Sequence, residues 1–237
     1  MLAEGQMGGC LPLAGPSLDA FSPAQISGLW GWWDDASIVE SGGVVSQWSD
    51  RSGNGRSLTA FGSPAVISIS GKPAINLDGV SNHLRGSATI PSDISFFLVF
   101  RQDSRSFRNW ILHSGDAWTL EAGNWSIGSR IFVDASEDCD GRATNLPTLG
   151  ELLLVHGSVS GGTGNASFKG PTTDYSISDS YLTPVASPSV GIGIGVRPQS
   201  NEFWLDGAVC ELILFSPAVS AEDKARIASY LAFRWGT

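Results

Sequence analysis

Retaining glycoside hydrolysis needs two carboxyl groups held roughly 5–5.5 Å apart, so acidic residues are the first place to look for chemistry in this sequence. Its densest acidic cluster is Asp134, Glu137, Asp138 and Asp140, followed by Gly141. The stretch reads as a loop, not as one face of a strand. Hard carboxylate oxygens are what Ca2+ requires, which makes these four residues the candidate metal ligands. The D-x-x-E-D-x-D-G spacing lacks the order of a known calcium loop, however, and a solvated, self-repelling loop is the competing reading. Glu211 is different. It interrupts an apolar run, where alternation puts it on one face with Val209, Ile213 and Phe215. A catalytic carboxylate and a buried structural one would both look like this; with no partner acid in view, the structural reading is the expectation. There is no G-x-S-x-G elbow, and His83, His113 and His156 have neither H-E-x-x-H nor paired spacing. The chemistry-bearing residues therefore predict no enzyme and no catalytic residue.

Binding has more candidates. The chain holds nine tryptophans, and an indole face suits the CH face of a sugar ring. Trp30, Trp32 and Trp33 invite that reading, but core packing competes with it and is expected for Trp33 and Trp48. Trp110, Trp118 and Trp125 lie nearer turn residues and are the candidate exposed platform. Arg101, Arg105 and Arg108 fall in one segment beside them. Their guanidinium groups could grip carboxylates or phosphates of a polysaccharide, against the plainer reading of a solvated loop.

The elements that must position these residues are mostly strands. Charged residues make up only 16% of the chain, glycine occurs 29 times, and the lysines are Lys72, Lys169 and Lys224. Helix formers are scarce and turn formers abundant, which excludes a helical bundle. A net charge of −9 excludes a phosphate-tracking nucleic-acid binder, and no apolar run approaches the ~20 residues of a membrane span. Gly8-Gly9-Cys10 looks like a lipoprotein processing site but lacks a basic and an apolar region before it. Cys10, Cys139 and Cys210 are too few and too widely spaced for a disulfide framework or a CxxC metal site.

A dozen short apolar runs punctuated by Gly, Asn, Pro and Ser predict strands, among them 44–48, 58–61, 65–69, 95–101, 152–160 and 209–215. Ser22-Pro23-Ala24-Gln25 has the caps of a short helix, stopped by Gly28 and Gly31. Residues 171–189 read as a proline-marked loop. Ser220 caps a C-terminal helix on which Ile227, Tyr230, Leu231 and Trp235 share a face. Asn54-Gly55 predicts a tight hairpin turn that Asp50 can brace. Gly191, Gly193 and Gly195 alternate with aliphatics, a pattern that lets a neighbouring ring approach the sheet and not a phosphate loop. The expected fold is all-β: a two-sheet antiparallel jelly-roll sandwich with a short N-terminal helix and a C-terminal capping helix. Residues 1–21 form an N-terminal docking arm and 22–237 the jelly roll.

Five segments in order carry a family resemblance: Trp33-Asp34-Asp35-Ala36; Val45 to Gly55 as V-S-Q-W-S-D-R-S-G-N-G; Pro73 to Gly79 as P-A-I-N-L-D-G; Trp204 to Phe215; and Tyr230 to Gly236. Together they resemble the concanavalin A-like lectin/glucanase superfamily, specifically laminin-G-like jelly rolls of the kind found in bacteriophage virion proteins. Glucanases of that superfamily carry E-x-D-x-x-E on one strand, which is absent here. The resemblance implies a non-enzymatic bacteriophage virion structural protein, of tail, fibre or surface decoration, that displays a lectin-like jelly roll for host-glycan attachment. Its expected partners are other virion proteins, through residues 1–21, and a host surface glycan, with no nucleic acid and no membrane insertion. Its location would be the virion, made in the host cytoplasm. No cofactor is expected, with Ca2+ the one candidate ion. The alternatives are a polysaccharide-active enzyme and a bacterial surface lectin or adhesin.

Overall fold

The computed structural model describes residues 21–91, 93–104, 110–114, 118–123, 128–132, 148–160, 163–179, 191–196 and 204–237; for residues 110, 113–114, 118–123, 128–132 and 179 it describes the backbone alone. Within these, sixteen strands precede one α-helix: β1 Leu29–Trp33, β2 Ile38–Ser41, β3 Val44–Trp48, β4 Leu58–Phe61, β5 Ala65–Ile69, β6 Lys72–Asp78, β7 His83–Arg85, β8 Ile94–Gln102, β9 Trp110–Ser114, β10 Trp118–Gly123, β11 Gly128–Phe132, β12 Leu152–Ser160, β13 Thr163–Lys169, β14 Asp174–Asp179, β15 Ile192–Ile194, β16 Asp206–Phe215 and α1 Ala221–Trp235. The all-β expectation holds.

The strands follow one hydrogen-bonded path, β11-β10-β9-β15-β7-β4-β3-β5-β6-β16-β8-β12-β13-β14, with β1 added to β16 and β2 to β3. Between β3 and β5 the path rests on a single residue pair, Val44 with Ala65. There the antiparallel sheet curls over, and its two halves share one interior. Leu58, Leu84, Leu112 and Ile194 from one half pack in the same cluster as Phe96, Leu98, Phe100, Val155 and Leu212 from the other. Each fully buried Leu or Phe contributes ~1.5–3 kcal/mol.

Strand β8 is buried on both faces. Phe96, Leu98 and Phe100 enter the interior, while Phe97 and Val99 meet a second cluster formed with Ile213, Ile227, Leu231 and Trp235 beneath α1. Sequence alternation explains this, since successive side chains of a strand point to opposite faces. The helix begins where Ser220 accepts a hydrogen bond from the Asp223 amide (3.1 Å) and ends at Gly236, whose φ of 76° suits a residue without a Cβ.

Several local expectations are corrected. The Ser22–Gln25 capping box forms, but the turn it opens is a 3-10 turn of three residues, Pro23–Gln25, because Ile26 is already extended. Residues 174–179 form strand β14 instead of a loop; Tyr175 and Ile177 alternate with exposed serines and pair with β13. Asn54-Gly55 is not a two-residue hairpin turn. The positive φ angles fall on Gly53 and Gly55, and the Asn54 amide instead donates to the Leu29 and Trp30 carbonyls (3.0 and 3.2 Å). Asp50 does brace the loop, accepting from the amides of Trp32 (3.1 Å), Ser52 (2.8 Å) and Arg56 (2.9 Å). At Gly191 the close neighbour is not a ring but the Gly86 carbonyl, which a Cβ would meet at 1.9 Å.

Candidate functional site

Strand β16 carries a register shift between Val209 and Glu211. A bulge of this kind re-aims the side chains that follow it. Val209 stays in the interior, while Cys210 belongs to the cluster under α1. The sequence expectation that Glu211 shares a face with Val209 is therefore corrected: Glu211 lies on the helix side. It is fully buried, and four donors converge on its carboxylate. Oε1 accepts from Trp32 Nε1 (3.0 Å) and Tyr230 Oη (3.1 Å); Oε2 accepts from Arg234 Nε (2.9 Å) and Trp235 Nε1 (2.8 Å). Burial pushes the Glu211 carboxyl up, and the Trp235 bond, the Arg234 charge and the Trp32 bond oppose that rise. The two indoles and the guanidinium can only donate, so a protonated Glu211 would find only the Tyr230 hydroxyl to receive its proton. Glu211 is thus a structural carboxylate that ties β1, β16 and α1 together, with no lone pair left for acid–base work.

Above this knot lies a cavity of about 630 Å³, lined by Phe21, Ser22, Trp32, Asp34, Arg51, Lys72, Tyr230, Phe233 and Arg234. Phe21 and Ser22 lie ahead of β1, strand β1 supplies Trp32 with Asp34 just after it, the loop braced by Asp50 supplies Arg51, β6 supplies Lys72, and the last turns of α1 supply Tyr230, Phe233 and Arg234. The Arg51 guanidinium lies over the Trp32 ring, 4.4 Å from its centroid, and bonds Asp34 Oδ2. Arg234 bonds Asp35 as well as Glu211 and stands 3.7 Å from Asp34 Oδ2. Lys72 Nζ donates to the Arg234 carbonyl (2.9 Å). Phe21 packs on Tyr230, with centroids 5.4 Å apart, and Phe233 stands 64% exposed at the rim.

Asp34 is the unusual member. Its side chain is 1% exposed, yet Oδ1 has no hydrogen-bond partner among the described residues. Its backbone is fixed from below, where the carbonyl accepts from Trp48 Nε1 (2.8 Å) and the Ser37 hydroxyl (2.9 Å). Burial pushes the Asp34 carboxyl up, Arg51 pulls it down, and the neighbouring Asp35 charge pushes it further up. An orphaned buried oxygen of this kind forfeits ~1–3 kcal/mol unless a donor reaches it. The cavity therefore combines aromatic walls, paired charges and one unmet acceptor. That combination suits a ligand with apolar faces and hydroxyl groups.

Of the residues singled out in the sequence, Trp32 lines this cavity and Arg101 does not. Arg101 lies on β8 and is committed to Asp103 through two parallel bonds of 2.6 and 2.7 Å. Trp110 begins β9 and Trp118 begins β10, which the sheet places side by side. Arg105, Arg108 and Trp125 lie outside the described residues, as do Asp134, Glu137, Asp138 and Asp140 and residues 1–20 of the expected arm. Among the described residues no group of three or more His, Cys, Asp or Glu side chains is placed to hold a metal ion, and no helix is long and apolar enough to cross a membrane. Trp33 and Trp48 are fully buried core residues. Asp34, Arg51 and Lys72 were missed as site residues because no local pattern joins positions so far apart in the chain. The W-D-D and S-D-R segments were visible, but only the fold brings them to Arg234.

No family model matches the chain, and no curated protein matches it. Solved structures do. Domain 4 of AbnA, a GH43 extracellular arabinanase from Geobacillus stearothermophilus in complex with arabinotriose, superposes with a TM-score of 0.62 at 15% identity, over 85% of this chain and 97% of that one. Trypanosoma rangeli sialidase in complex with the inhibitor DANA matches with a TM-score of 0.58 at 11% identity, over 86% of this chain and 33% of that one. A GH54 α-L-arabinofuranosidase matches with a TM-score of 0.58 at 14% identity, over 81% and 51%. The chain thus spans about a third of the sialidase and half of the arabinofuranosidase. At these identities the likeness shows the fold alone, an all-β fold shared with those chains. Two expectations from the sequence are corrected here. These neighbours come from carbohydrate-active enzymes and none is a virion protein. These neighbours run against the readings as a non-enzyme and as a phage structural protein, and favour the polysaccharide-active alternative over them.

Proposed function

We propose that this chain is the glycan-recognising domain of a polysaccharide-active enzyme, and that the cavity against α1 is where the glycan binds. The observation that carries the reading is a cavity walled by Trp32, Tyr230, Phe21 and Phe233, one of whose lining residues, Asp34, holds a buried oxygen with its acceptor capacity unmet. Aromatic faces take the CH side of a sugar, and fixed polar groups orient its hydroxyls. The likeness to an arabinanase domain that was solved with arabinotriose supports the same class of ligand. The finer resemblance to laminin-G-like jelly rolls, carried by the W-D-D-A and V-S-Q-W-S-D-R-S-G-N-G segments, belongs to this reading too.

Affinity electrophoresis through gels containing arabinan, xylan, β-glucan or pectin tests it. Retardation by at least one polysaccharide is expected, reduced about tenfold or more in apparent affinity by Phe233→Ala, a rim residue whose loss spares the core. Unretarded migration in every gel, with no turnover of the same polysaccharides, would overturn it.

A further inference from the structure

The charges around the cavity allow its ligand to be specified further, on the premise that it binds a glycan at all. Three cations face it, Arg51, Lys72 and Arg234; three carboxylates, Asp34, Asp35 and Glu211, lie against the two arginines, and Lys72 donates to the Arg234 carbonyl, so the six formal charges sum to zero. Neither arginine is idle: Arg234 is held by Glu211 and Asp35, and Arg51 by Asp34. The wall therefore offers an anionic sugar no net positive field. The unmet group is an acceptor, Asp34 Oδ1. A hydroxyl satisfies it by donating. A ligand carboxylate brought to the same place sets a second carboxyl against Asp34, and the pair can share the site only by taking up a proton, which is an element of repulsion built against that ligand near neutral pH.

From this we infer that the cavity selects neutral, hydroxyl-rich sugar units over uronic or sialic acids, with Asp34 as the specificity-determining residue. Oδ1 is screened from water, so a neighbouring side chain must yield before a ligand hydroxyl arrives. Arg51 is that side chain. Its side chain is 43% exposed, and its guanidinium lies over the Trp32 ring and bonds Asp34 Oδ2. Its displacement uncovers the indole face and the carboxylate together, one for the CH face of the sugar and one for its hydroxyl. Such a site rejects a ligand that lacks the matching donor, because the buried acceptor is then left unpaired.

The test is a calorimetric titration of the chain with arabinotriose, xylotriose and cellotriose on one side and with trigalacturonate and N-acetylneuraminic acid on the other. At least one neutral trisaccharide should bind about tenfold or more tighter than either acidic sugar. Asp34→Asn, which removes the charge and keeps the size, should narrow that ratio by weakening the neutral ligand and admitting the acidic one. Should the variant fail to fold, the wild-type ratio alone decides. Tighter binding of an acidic sugar than of every neutral one would overturn the selectivity and leave glycan recognition standing. An unchanged ratio in folded Asp34→Asn would remove Asp34 from its role. Failure of all five probes to bind would overturn the inference, and retardation in the polysaccharide gels would then show that glycan recognition itself survives.

Discussion

Glu211 shows how one residue can look catalytic in a sequence and be structural in the fold. A lone acid in an apolar strand is the pattern of a tuned general acid, and it is also the pattern of a buried tie. Four donor groups from β1 and α1 decide between them, and none of those donors lies near Glu211 in sequence. Glu211→Gln leaves one amide nitrogen facing groups that are themselves donors. Breaking a buried charged pair in this way should lower stability by about 3 kcal/mol, measured as a shift in the urea unfolding curve. A change below about 1 kcal/mol would show that the four bonds contribute little. Asp34 is the converse case. The W-D-D-A segment marks it in the sequence, but its unmet oxygen becomes visible only once Trp48, Ser37 and Arg51 have closed around it.

Elements were the most legible scale. The runs at 44–48, 58–61, 65–69 and 152–160 are strands with those bounds, because alternating apolar residues between turn formers leave a chain little else to do. What composition hid was β14, where Asp174, Ser176 and Ser178 on the exposed face outnumber the inward Tyr175 and Ile177. It also hid the bulge in β16, which no residue type announces. Turns carry their own energetics. After β6, Asp78 accepts from the amides of Val80 (3.0 Å), Ser81 (2.8 Å) and Asn82 (2.8 Å), and closes the connection to β7. Burial raises its carboxyl, but these bonds together outweigh that and hold it at about 2, against an ordinary 3.8. A carboxyl lowered on folding binds fewer protons in the native state than in the unfolded one. Its contribution to stability is therefore complete above the ordinary value and fades as pH falls toward 2. Glu151, bonded to Thr172 and Thr173, is shifted the same way. The unfolding midpoint of the wild type should drop between pH 5 and pH 2, and Asp78→Asn should drop less over that window. Identical slopes would show that the turn does not couple to protonation.

At the scale of the whole molecule, the curled sheet does two jobs with its two faces. The inner face makes the core, and the outer face of β8 and β16 seats α1, whose last turns wall the cavity. The fold class was readable because strands, caps and turn dipeptides all pointed the same way. Function was not, since fold alone does not fix it and the site draws on residues from Phe21 to Arg234. The most direct measurement is an NMR titration of the chain with arabinotriose that follows the tryptophan indole and arginine side-chain N–H signals. The indole N–H signals of Trp32 and Trp235, both bonded to Glu211, and the Arg51 side-chain signal should move together and saturate. Saturable shifts confined to Arg101 and the β9–β10 tryptophans, with Trp32, Trp235 and Arg51 unmoved, would contradict the placement of the glycan against α1.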